Sequence, residues 1–251
     1  MTPARSRPVI TRVEVVMPVH DEEHHLGAAL SAVRAATEAL AQQLPPVATG
    51  TTIVLDHCTD RSAEIADRFA VSHTGVRVLR RQFRNAGASR AAGAAAALLD
   101  LGNGRLETTW LANTDADSRV PESWLVRQLH FADAGWDVVL GSVEPDSAGM
   151  DPELLRSWRL RHPVEERHTN VYGANLGVRA SAYRQAGGFP PLCSSEDRAL
   201  VEQLRRRGFA VTATDSTRVL TSGRTVARAP HGFGAYLRAL GVETAAALRS
   251  S

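Results

Sequence analysis

The chain has 251 residues, of which 43% are apolar and 22% are charged, a composition typical of a soluble globular protein with room for one large core. Its formal net charge of +2 gives no indication of bulk nucleic-acid binding, and its two cysteines, Cys58 and Cys193, lack zinc-type spacing. No stretch reaches the roughly 20 apolar residues that span a bilayer, and the basic N-terminal segment has no apolar core of the kind that secretory signals carry. We therefore expect a cytoplasmic protein with no nucleic-acid partner and at most peripheral membrane contact.

The first half of the chain alternates predicted strands with predicted helices. Apolar runs predict strands over residues 13–18, 52–55, 76–79, 109–112 and 138–141, and helical spacing of apolar residues predicts helices over 26–44, 62–69, 85–99 and 122–134. We expect Asp21 and Asp60 to cap the first two of these helices and Pro121 to be the first residue of the last one. This alternation favours a parallel, doubly wound α/β sheet with right-handed crossovers.

After residue 141 the pattern changes. The sequence predicts an irregular acidic segment over 144–150, a glycine-rich extended segment over 172–178, helices over 152–166, 181–186, 196–207 and 232–248, and short strands over 209–213 and 218–220. No internal repeat and no linker rich in Gly, Ser or Pro divides the chain. We therefore predict one domain, with a nucleotide-binding half over 13–141 and an acceptor half over 142–251.

Two aspartates, Asp115 and Asp117, lie in a short loop between a predicted strand and a predicted helix. Ligands of open α/β sheets bind outside the carboxyl ends of the strands. Two carboxylates this close repel each other, and a divalent cation relieves the repulsion. Mg²⁺ and Mn²⁺ prefer oxygen ligands, and Mg²⁺ is usually held by one or two carboxylates plus substrate phosphates. The alternative is a turn with solvated carboxylates, but the preceding strand and the motifs elsewhere favour a metal site.

Polar segments follow other predicted strands as well. Residues 16–23, with the sequence Val-Met-Pro-Val-His-Asp-Glu-Glu, end one strand, although their acids are also good helix caps. Asp56 ends the next strand, where its carboxylate is free to accept hydrogen bonds from a nucleobase or ribose. Arginines in residues 80–90 precede a helix N-terminus, which favours anions, but charge runs usually face water. Glu196 and Asp197 open a helix, where capping is the alternative to catalysis. Walker A and G-x-G-x-x-G motifs are absent, which disfavours a P-loop NTPase and an NAD enzyme.

Taken together, these motifs resemble those of the family 2 glycosyltransferases, which have a GT-A fold. The matching positions, in the order of the family, are residues 16–23, 56 with 59–60, 85–87 with 90, 115–117, 173–175, 187–189 and 196–197. The resemblance covers roughly residues 13–209. It implies a doubly wound, mostly parallel but mixed sheet with helices on both faces, a nucleoside-diphosphate sugar donor such as a UDP- or GDP-sugar, and transfer to a hydroxyl of an acceptor whose identity stays open.

The resemblance also implies roles for individual residues. The donor would contact positions shared with the family, namely Pro18, His20, Glu22, Asp56, Asn85, Gly87, Arg90 and Asp115. Asp115 and Asp117 would hold Mn²⁺ or Mg²⁺, with His231 as the only later histidine that can complete the metal site. Asp197 would be the catalytic base that deprotonates the acceptor, with an ordinary pKa, and Glu196 is its rival. The arginines of residues 80–90, together with Arg224 or Arg228, are candidates for added charge stabilisation.

The sequence departs from the family at some points. His57 and Cys58 stand where a second aspartate and Gly-Ser are usual, and a Gln/Arg-x-x-Arg-Trp motif is absent, which disfavours polymerisation of the cellulose or chitin type. Base-assisted single displacement implies inversion, yet retaining enzymes such as glucosyl-3-phosphoglycerate synthases share this layout, so both stereochemical outcomes stay open. A sugar-phosphate nucleotidyltransferase is disfavoured because its glycine-rich N-terminal loop is absent. An inactive nucleotide-sugar-binding protein is disfavoured because Asp115, Asp117 and Asp197 are all present.

Overall fold

A computed structural model describes residues 7–99, 101–226 and 232–249 of the chain. The strands in these ranges are β1 (Arg12–Val19), β2 (Ala48–Asp56), β3 (Val76–Arg81), β4 (Thr109–Asn113), β5 (Ser118–Arg119), β6 (Val138–Pro145), β7 (Leu176–Arg179) and β8 (Val211–Thr221). The helices are α1 (Leu26–Gln43), α2 (Ser62–Ser72), α3 (Ala86–Leu98), α4 (Asn103–Leu106), α5 (Trp124–Asp133), α6 (Pro152–Arg161), α7 (Ala180–Gln185), α8 (Glu196–Arg206) and α9 (Phe233–Arg249). None of these described helices is long and apolar enough to cross a membrane.

The strands of this part of the chain pair in the order β3-β2-β1-β4-β7-β6-β8-β5. The pairs β3–β2, β2–β1 and β1–β4 are parallel, as predicted for the first half. Successive side chains of a strand point to opposite faces, so that Val13, Val15 and Met17 enter one core while Val16 enters the other. The chain crosses from one side of β1 to the other between β3 and β4. The carboxyl ends of β1 and β4 are therefore the switch point where doubly wound sheets bind ligands.

The second half makes the sheet mixed. β7 is antiparallel to both β4 and β6, whereas β6 and β8 are parallel. Leu176, the first residue of β7, pairs with Asn113, the last residue of β4. The chain therefore returns to the ligand-binding edge of the sheet before it enters β7. This arrangement confirms the mixed sheet that the family resemblance implies.

Helices cover both faces of the sheet, as expected. One apolar core lies under α1, α2, α5, α6 and α9, and the other lies under α3, α7 and α8. Helix α3 packs closely on the sheet because Gly93 has no side chain: a Cβ there would lie 2.6 Å from Val16 Cγ1 and 2.9 Å from Val54 Cγ2. Its first turn, which carries Asn85 and Gly87, is thereby held against the ends of β1 and β2.

Two helix boundaries differ from the prediction. Helix α5 begins at Trp124, not at Pro121, because residues 121–124 form a turn in which Trp124 N donates to Pro121 O at 2.9 Å. Helix α6 ends at Arg161 and does not continue to residue 166, since Pro163 disfavours helical geometry at the residue before it.

Three strand assignments also differ. β6 continues to Pro145 into the segment predicted to be irregular, and the two short strands predicted over 209–213 and 218–220 are one strand, β8. β8 has a bulge opposite Gly141 and Val143. These two residues are separated by one residue in β6, whereas their partners Thr214 and Val219 are separated by four residues in β8. β5 is a strand of two residues that the sequence pattern does not reveal, and it pairs with the end of β8. The bulge in β8 belongs to the acceptor half of the chain.

Candidate active site

The loops after β1 and β2 are tied together by carboxylates. Asp21 accepts a hydrogen bond from Thr59 N at 2.6 Å, so it bridges the two loops and does not cap α1 as predicted. The residue at the N-cap position of α1 is His25, whose side chain makes no capping bond. Asp60 accepts a bond from the amide of Ser62, the first residue of α2, from one position earlier than a standard N-cap. These two acids therefore shape the loops through hydrogen bonds to backbone amides.

Asp115 and Asp117 occupy a tight loop between β4 and β5. Ser118 N donates to Asp115 O at 3.1 Å, which closes the turn. The side chain of Asp117 is only 14% exposed, and that of Asp115 is 35% exposed. Burial, followed by the negative charge of Asp115, raises the pKa of Asp117 to about 7. The two carboxylates of this loop therefore repel each other, a repulsion of the kind that a bound cation relieves.

Arg224 reaches this loop from the segment after β8. Its Nη2 lies 2.9 Å from Asp117 Oδ2 and 2.7 Å from Glu22 Oε1, and its Nη1 donates to Glu22 Oε2 at 2.8 Å. The two-pronged contact with Glu22 fixes the guanidinium between the β1 loop and the β4 loop. The Arg224 charge acts to lower the pKa of Asp117 without cancelling the effect of burial. Sequence analysis identified Arg224 and Glu22 as separate candidates, and no local pattern predicts that they form an ion pair.

Arg90 is a buried cation that joins α3, β4 and α8. It is 3% exposed, its Nε donates to Glu196 Oε1 at 3.0 Å, and its Nη2 contacts the Asp115 carboxylate. Gly173 makes room for it, since a Cβ at that position would lie 2.5 Å from Arg90 Nη2. The guanidinium carbon lies 6.0 Å from the centre of the Phe189 ring. Its Nη1 is buried with no hydrogen-bond partner among the described residues.

Asp197 lies half-buried in the first turn of α8, beside Glu196. Its carboxylate accepts hydrogen bonds from Arg198 N at 2.7 Å and from the amide of Gly173. Burial, followed by the charge of Glu196, raises the pKa of Asp197, although Arg90 acts in the opposite direction. The N-terminus of α8 favours the ionised carboxylate, but burial acts against it. Glu196 is more deeply buried than Asp197 and forms an ion pair with Arg90. The carboxylate of Asp197 instead accepts its hydrogen bonds from backbone amides.

Asp56 is 4% exposed and holds the loop before α3. Its carboxylate accepts hydrogen bonds from Phe83 N at 2.6 Å, Arg84 N at 2.9 Å, Asn85 N at 2.9 Å and Ser89 Oγ at 2.8 Å. Burial acts to raise its pKa, but these donors outweigh burial and lower it. A carboxylate has about four lone-pair sites, so the expectation of a carboxylate free to face a ligand is wrong. Sequence reasoning missed Ser89, whose only signal is its place one turn into α3.

Asn85 and Gly87 connect the start of α3 to the loop before α8. Asn85 caps α3, and its Nδ2 donates to Pro191 O at 3.1 Å. Gly87 N donates to Leu192 O at 3.0 Å, and a Cβ on Gly87 would collide with the backbone of that loop. The two residues therefore position residues 190–193, which lead into the helix that carries Asp197.

The other predicted donor residues occupy the β1 side of the site. Pro18 pairs with Val54 in the sheet, and His20 is an exposed residue whose Nδ1 donates to Asp56 O at 2.8 Å. The predicted third metal ligand, His231, lies outside the described residues. Within the described ranges no group of three or more His, Cys, Asp or Glu side chains is arranged to hold a metal.

Asn175 has a structural role that the sequence pattern did not reveal. Its Nδ2 donates to Ser142 O at 2.8 Å and to Thr217 O at 2.7 Å, and its Oδ1 accepts from Trp124 Nε1 at 2.9 Å. One amide thereby joins β6, β8 and α5 just before β7. The glycine-rich 173–175 pattern was the available signal.

The profile of glycosyl transferase family 2 matches residues 14–185 of this chain, from β1 through α7, and includes the Asp115–Asp117 loop. The chain belongs to glycosyl transferase family 2. This is the family that the motifs of the sequence resemble. Asp197 and Arg224 lie beyond the matched range. Curated protein sequences gave no match.

Solved structures are similar to this chain in fold. Staphylococcus aureus TarS 1-349 in complex with UDP has a TM-score of 0.62 at 14% identity over 84% of this chain and 60% of that chain. The mannosyltransferase PcManGT from Pyrobaculum calidifontis, in complex with GDP-Man and Mn²⁺, has a TM-score of 0.60 at 16% identity over 98% of this chain and 67% of that chain. A mycobacterial protein has a TM-score of 0.56 at 16% identity over 96% and 74% of the two chains. These likenesses confirm the GT-A fold, and the chain spans less than two thirds of TarS 1-349.

Proposed function

We propose that this family 2 glycosyltransferase moves a sugar from a UDP- or GDP-sugar to an acceptor hydroxyl, with Mn²⁺ or Mg²⁺ held by Asp115 and Asp117. The observation that carries the proposal is the loop between β4 and β5, where two carboxylates lie at the switch point and burial raises the pKa of Asp117 to about 7. The similarity to TarS in complex with UDP and to PcManGT in complex with GDP-Man and Mn²⁺ supports the classes of donor and metal.

The residues present fit such a cation. Asp115 and Asp117 offer hard oxygen ligands, and one or two carboxylates plus substrate phosphates are a usual set for Mg²⁺. His231 is a further proposed ligand. When bound, the metal supplies Lewis-acid stabilisation of the departing diphosphate. Arg224, which contacts both Asp117 and Glu22, would add positive charge near the diphosphate.

In this proposal residues 13–141 bind the donor and residues 142–251 the acceptor. Asp56 acts by positioning, because three of its four hydrogen bonds hold the backbone of residues 83–85 in place. Arg90 orients Asp115 and Glu196. Its Nη1–H has no partner among the described residues and can donate a hydrogen bond to a polar group of the nucleotide-sugar donor.

Asp197 is the proposed general base. Glu196 forms an ion pair with Arg90, whereas the carboxylate of Asp197 accepts hydrogen bonds from the backbone amides of Arg198 and Gly173. A raised pKa makes a carboxylate a better proton acceptor, provided that it is still ionised at the working pH. The carboxylate removes the acceptor hydroxyl proton as the oxygen attacks the anomeric carbon and the bond to the diphosphate breaks. Attack from the face opposite the leaving group inverts the anomeric configuration.

The proposal is tested by Asp197→Asn with Glu196→Gln beside it. General-base catalysis contributes about 10²–10⁴-fold, so Asp197→Asn is expected to lower donor turnover by about that factor while Mn²⁺-dependent nucleotide binding is kept. NMR of the product is expected to show an anomeric configuration opposite to that of the donor. A product with the donor's own configuration would assign the retaining mechanism instead. Absence of turnover with every UDP- and GDP-sugar would assign a nucleotide-sugar-binding role.

A further inference from the structure

A separate cavity lies on the acceptor half of the molecule, between β6, the bulge of β8 and the segment after α6. Its volume is about 140 Å³, and none of the residues assigned above to donor, metal or base lines it. At about 30 Å³ for each water molecule, it has room for four or five waters. A single sugar ring is of similar size.

His168 gives this cavity an unsatisfied polar wall. The residue is 7% exposed and lines the cavity, and neither of its ring nitrogens has a hydrogen-bond partner among the described residues. A buried polar group without a hydrogen-bond partner costs free energy. The ring nitrogens of His168 therefore favour an occupant of the cavity that can form hydrogen bonds. A neutral imidazole offers one donor and one acceptor, which is what a hydroxyl group can satisfy.

The charged residues of the wall compensate one another. Arg218 Nη2 lies 2.6 Å from Asp215 Oδ1, its Nη1 lies 3.0 Å from Glu144 Oε2, and Arg159 Nη2 lies 2.7 Å from Glu144 Oε1. Two guanidinium groups and two carboxylates leave no net charge, so the wall does not favour an anionic ligand. It does present both donors and acceptors. With the rings of Trp158 and Tyr172 as its apolar part, the wall suits a neutral ligand that carries several hydroxyls on an apolar ring.

The cavity adjoins both parts of the proposed catalytic site. Tyr172 lines it, and the next residue, Gly173, donates its amide to Asp197, with consecutive Cα atoms about 3.8 Å apart. On the other side, Pro145, the neighbour of Glu144 in β6, pairs with Thr221, which pairs with Ser118 beside Asp117. Two strand spacings of about 4.8 Å separate these backbones. The β6 wall of the cavity thus lies about 10 Å, across β8, from the backbone of the metal loop.

We propose that this cavity is the acceptor subsite and that it binds one neutral monosaccharide unit, free or at the end of a glycoside, through hydroxyl groups that bond to His168, Glu144 and Arg218. The proposal rests on the proposed function. It adds the chemical class of the acceptor: a sugar without charged substituents, whose reactive hydroxyl points from the cavity toward Asp197.

The test is saturation-transfer NMR of the full chain with UDP or GDP and Mn²⁺, using methyl glycosides of glucose, mannose, galactose and N-acetylglucosamine as probes. We expect at least one glycoside to bind. His168→Phe keeps a ring of similar shape but has no ring nitrogens, and we expect it to weaken binding about tenfold while nucleotide affinity is unchanged. His168→Gln keeps one donor and one acceptor and is expected to recover part of the loss. Arg156→Ala, which removes an exposed ion pair with Glu153 on α6, is the matched control.

The outcomes separate this inference from the proposed function. If the wild-type protein binds neither UDP nor GDP with Mn²⁺, the proposed function fails. If nucleotide binds but no methyl glycoside does, or if His168→Phe binds the glycoside as well as the wild type, the cavity is not the acceptor subsite. Tighter binding of glucuronic acid or glucose 6-phosphate than of every neutral glycoside would overturn the charge argument. An unfolding midpoint of His168→Phe at or above the wild-type value shows that its effect on binding is not a folding defect.

Discussion

The guanidinium of Arg224 lies 2.9 Å from the carboxylate of Asp117 and is held there by a second ion pair with Glu22. The three residues come from the end of the β8 segment, the β4 loop and the β1 loop. A cation of the chain thus occupies a ligand oxygen that the proposed metal needs. Arg224 and the metal ion would compete for Asp117 in the nucleotide-free enzyme.

We predict that Arg224→Ala tightens Mn²⁺ binding in the absence of nucleotide by about tenfold, because no charge-assisted hydrogen bond has to be broken first. The titration is carried out well above pH 7. Loss of Arg224 raises the pKa of Asp117 further, and protonation of this carboxylate competes with metal binding. Arg119→Ala, which removes the exposed ion pair with Asp146 next to the same loop, is the control. Equal Mn²⁺ affinity of Arg224→Ala and the wild type would show that the ion pair does not oppose the metal.

The raised pKa of Asp117 predicts a metal-free protein that loses stability as pH rises. Below about pH 4 the carboxyl is protonated in both the folded and the unfolded state. Between there and about pH 7 the unfolded chain releases the proton while the folded chain keeps it, so the free energy of unfolding falls. Asp117→Asn should therefore be more stable than the wild type above pH 7, by on the order of 2 kcal/mol, and similar to it near pH 4. Urea unfolding in a chelator measures this, and a less stable variant above pH 7 contradicts it.

Arg90 is predicted to be essential for the fold as well as the site. Arg90→Met leaves Glu196 buried and Asp115 partly buried without their shared cation, and we expect a loss of about 3–5 kcal/mol in the free energy of unfolding. Arg90→Met with Glu196→Gln should recover part of this loss. Arg80→Ala removes an exposed ion pair with Asp67 and should cost at most about 1 kcal/mol. Equal free energies of unfolding for Arg90→Met and Arg80→Ala would show that the buried ion pairs of Arg90 do not stabilise the fold.

Asp56→Asn is predicted to lower the free energy of unfolding by about 2–4 kcal/mol, because an amide NH₂ replaces an oxygen that accepts backbone and hydroxyl hydrogen bonds. Since these donors lower the pKa of Asp56, the difference from the wild type should shrink in acid, as the wild-type carboxylate is protonated. Asp67→Asn, on the exposed face of α2, is the control in the same urea titration. A difference as small as that of the control would place Asp56 in a merely solvated turn.

Local sequence patterns were sufficient for the parallel half of the fold. Apolar runs such as Val13–Pro18 and the helical spacing of Leu26, Leu30 and Leu40 identify their elements because a strand or a helix buries its own residues in a fixed period. β5 was not predictable in this way, since two residues, Ser118 and Arg119, make no periodic pattern and pair only with a strand about a hundred positions away.

The candidate site was predicted as a set of residues, but not as a set of partners. Motif order placed Arg90, Asp115 and Glu196 together, whereas the ion pairs that join them depend on the tertiary fold. Asp56 shows the limit most clearly. Its position at a strand end indicates a ligand contact, but only the path of the 83–85 backbone shows that its oxygens are already bonded.

The most direct test of the central claim, a metal held by Asp117 for a nucleoside-diphosphate donor, is calorimetric titration of UDP and GDP with and without Mn²⁺. We expect the wild type to bind one of the two at least about tenfold more tightly with Mn²⁺, a difference of about 1.4 kcal/mol. Asp117→Asn should lose this dependence, while Asp67→Asn, which changes an exposed residue of α2, keeps it. Mn²⁺-independent binding by the wild type, or Mn²⁺-dependent binding that survives in Asp117→Asn, would contradict the account.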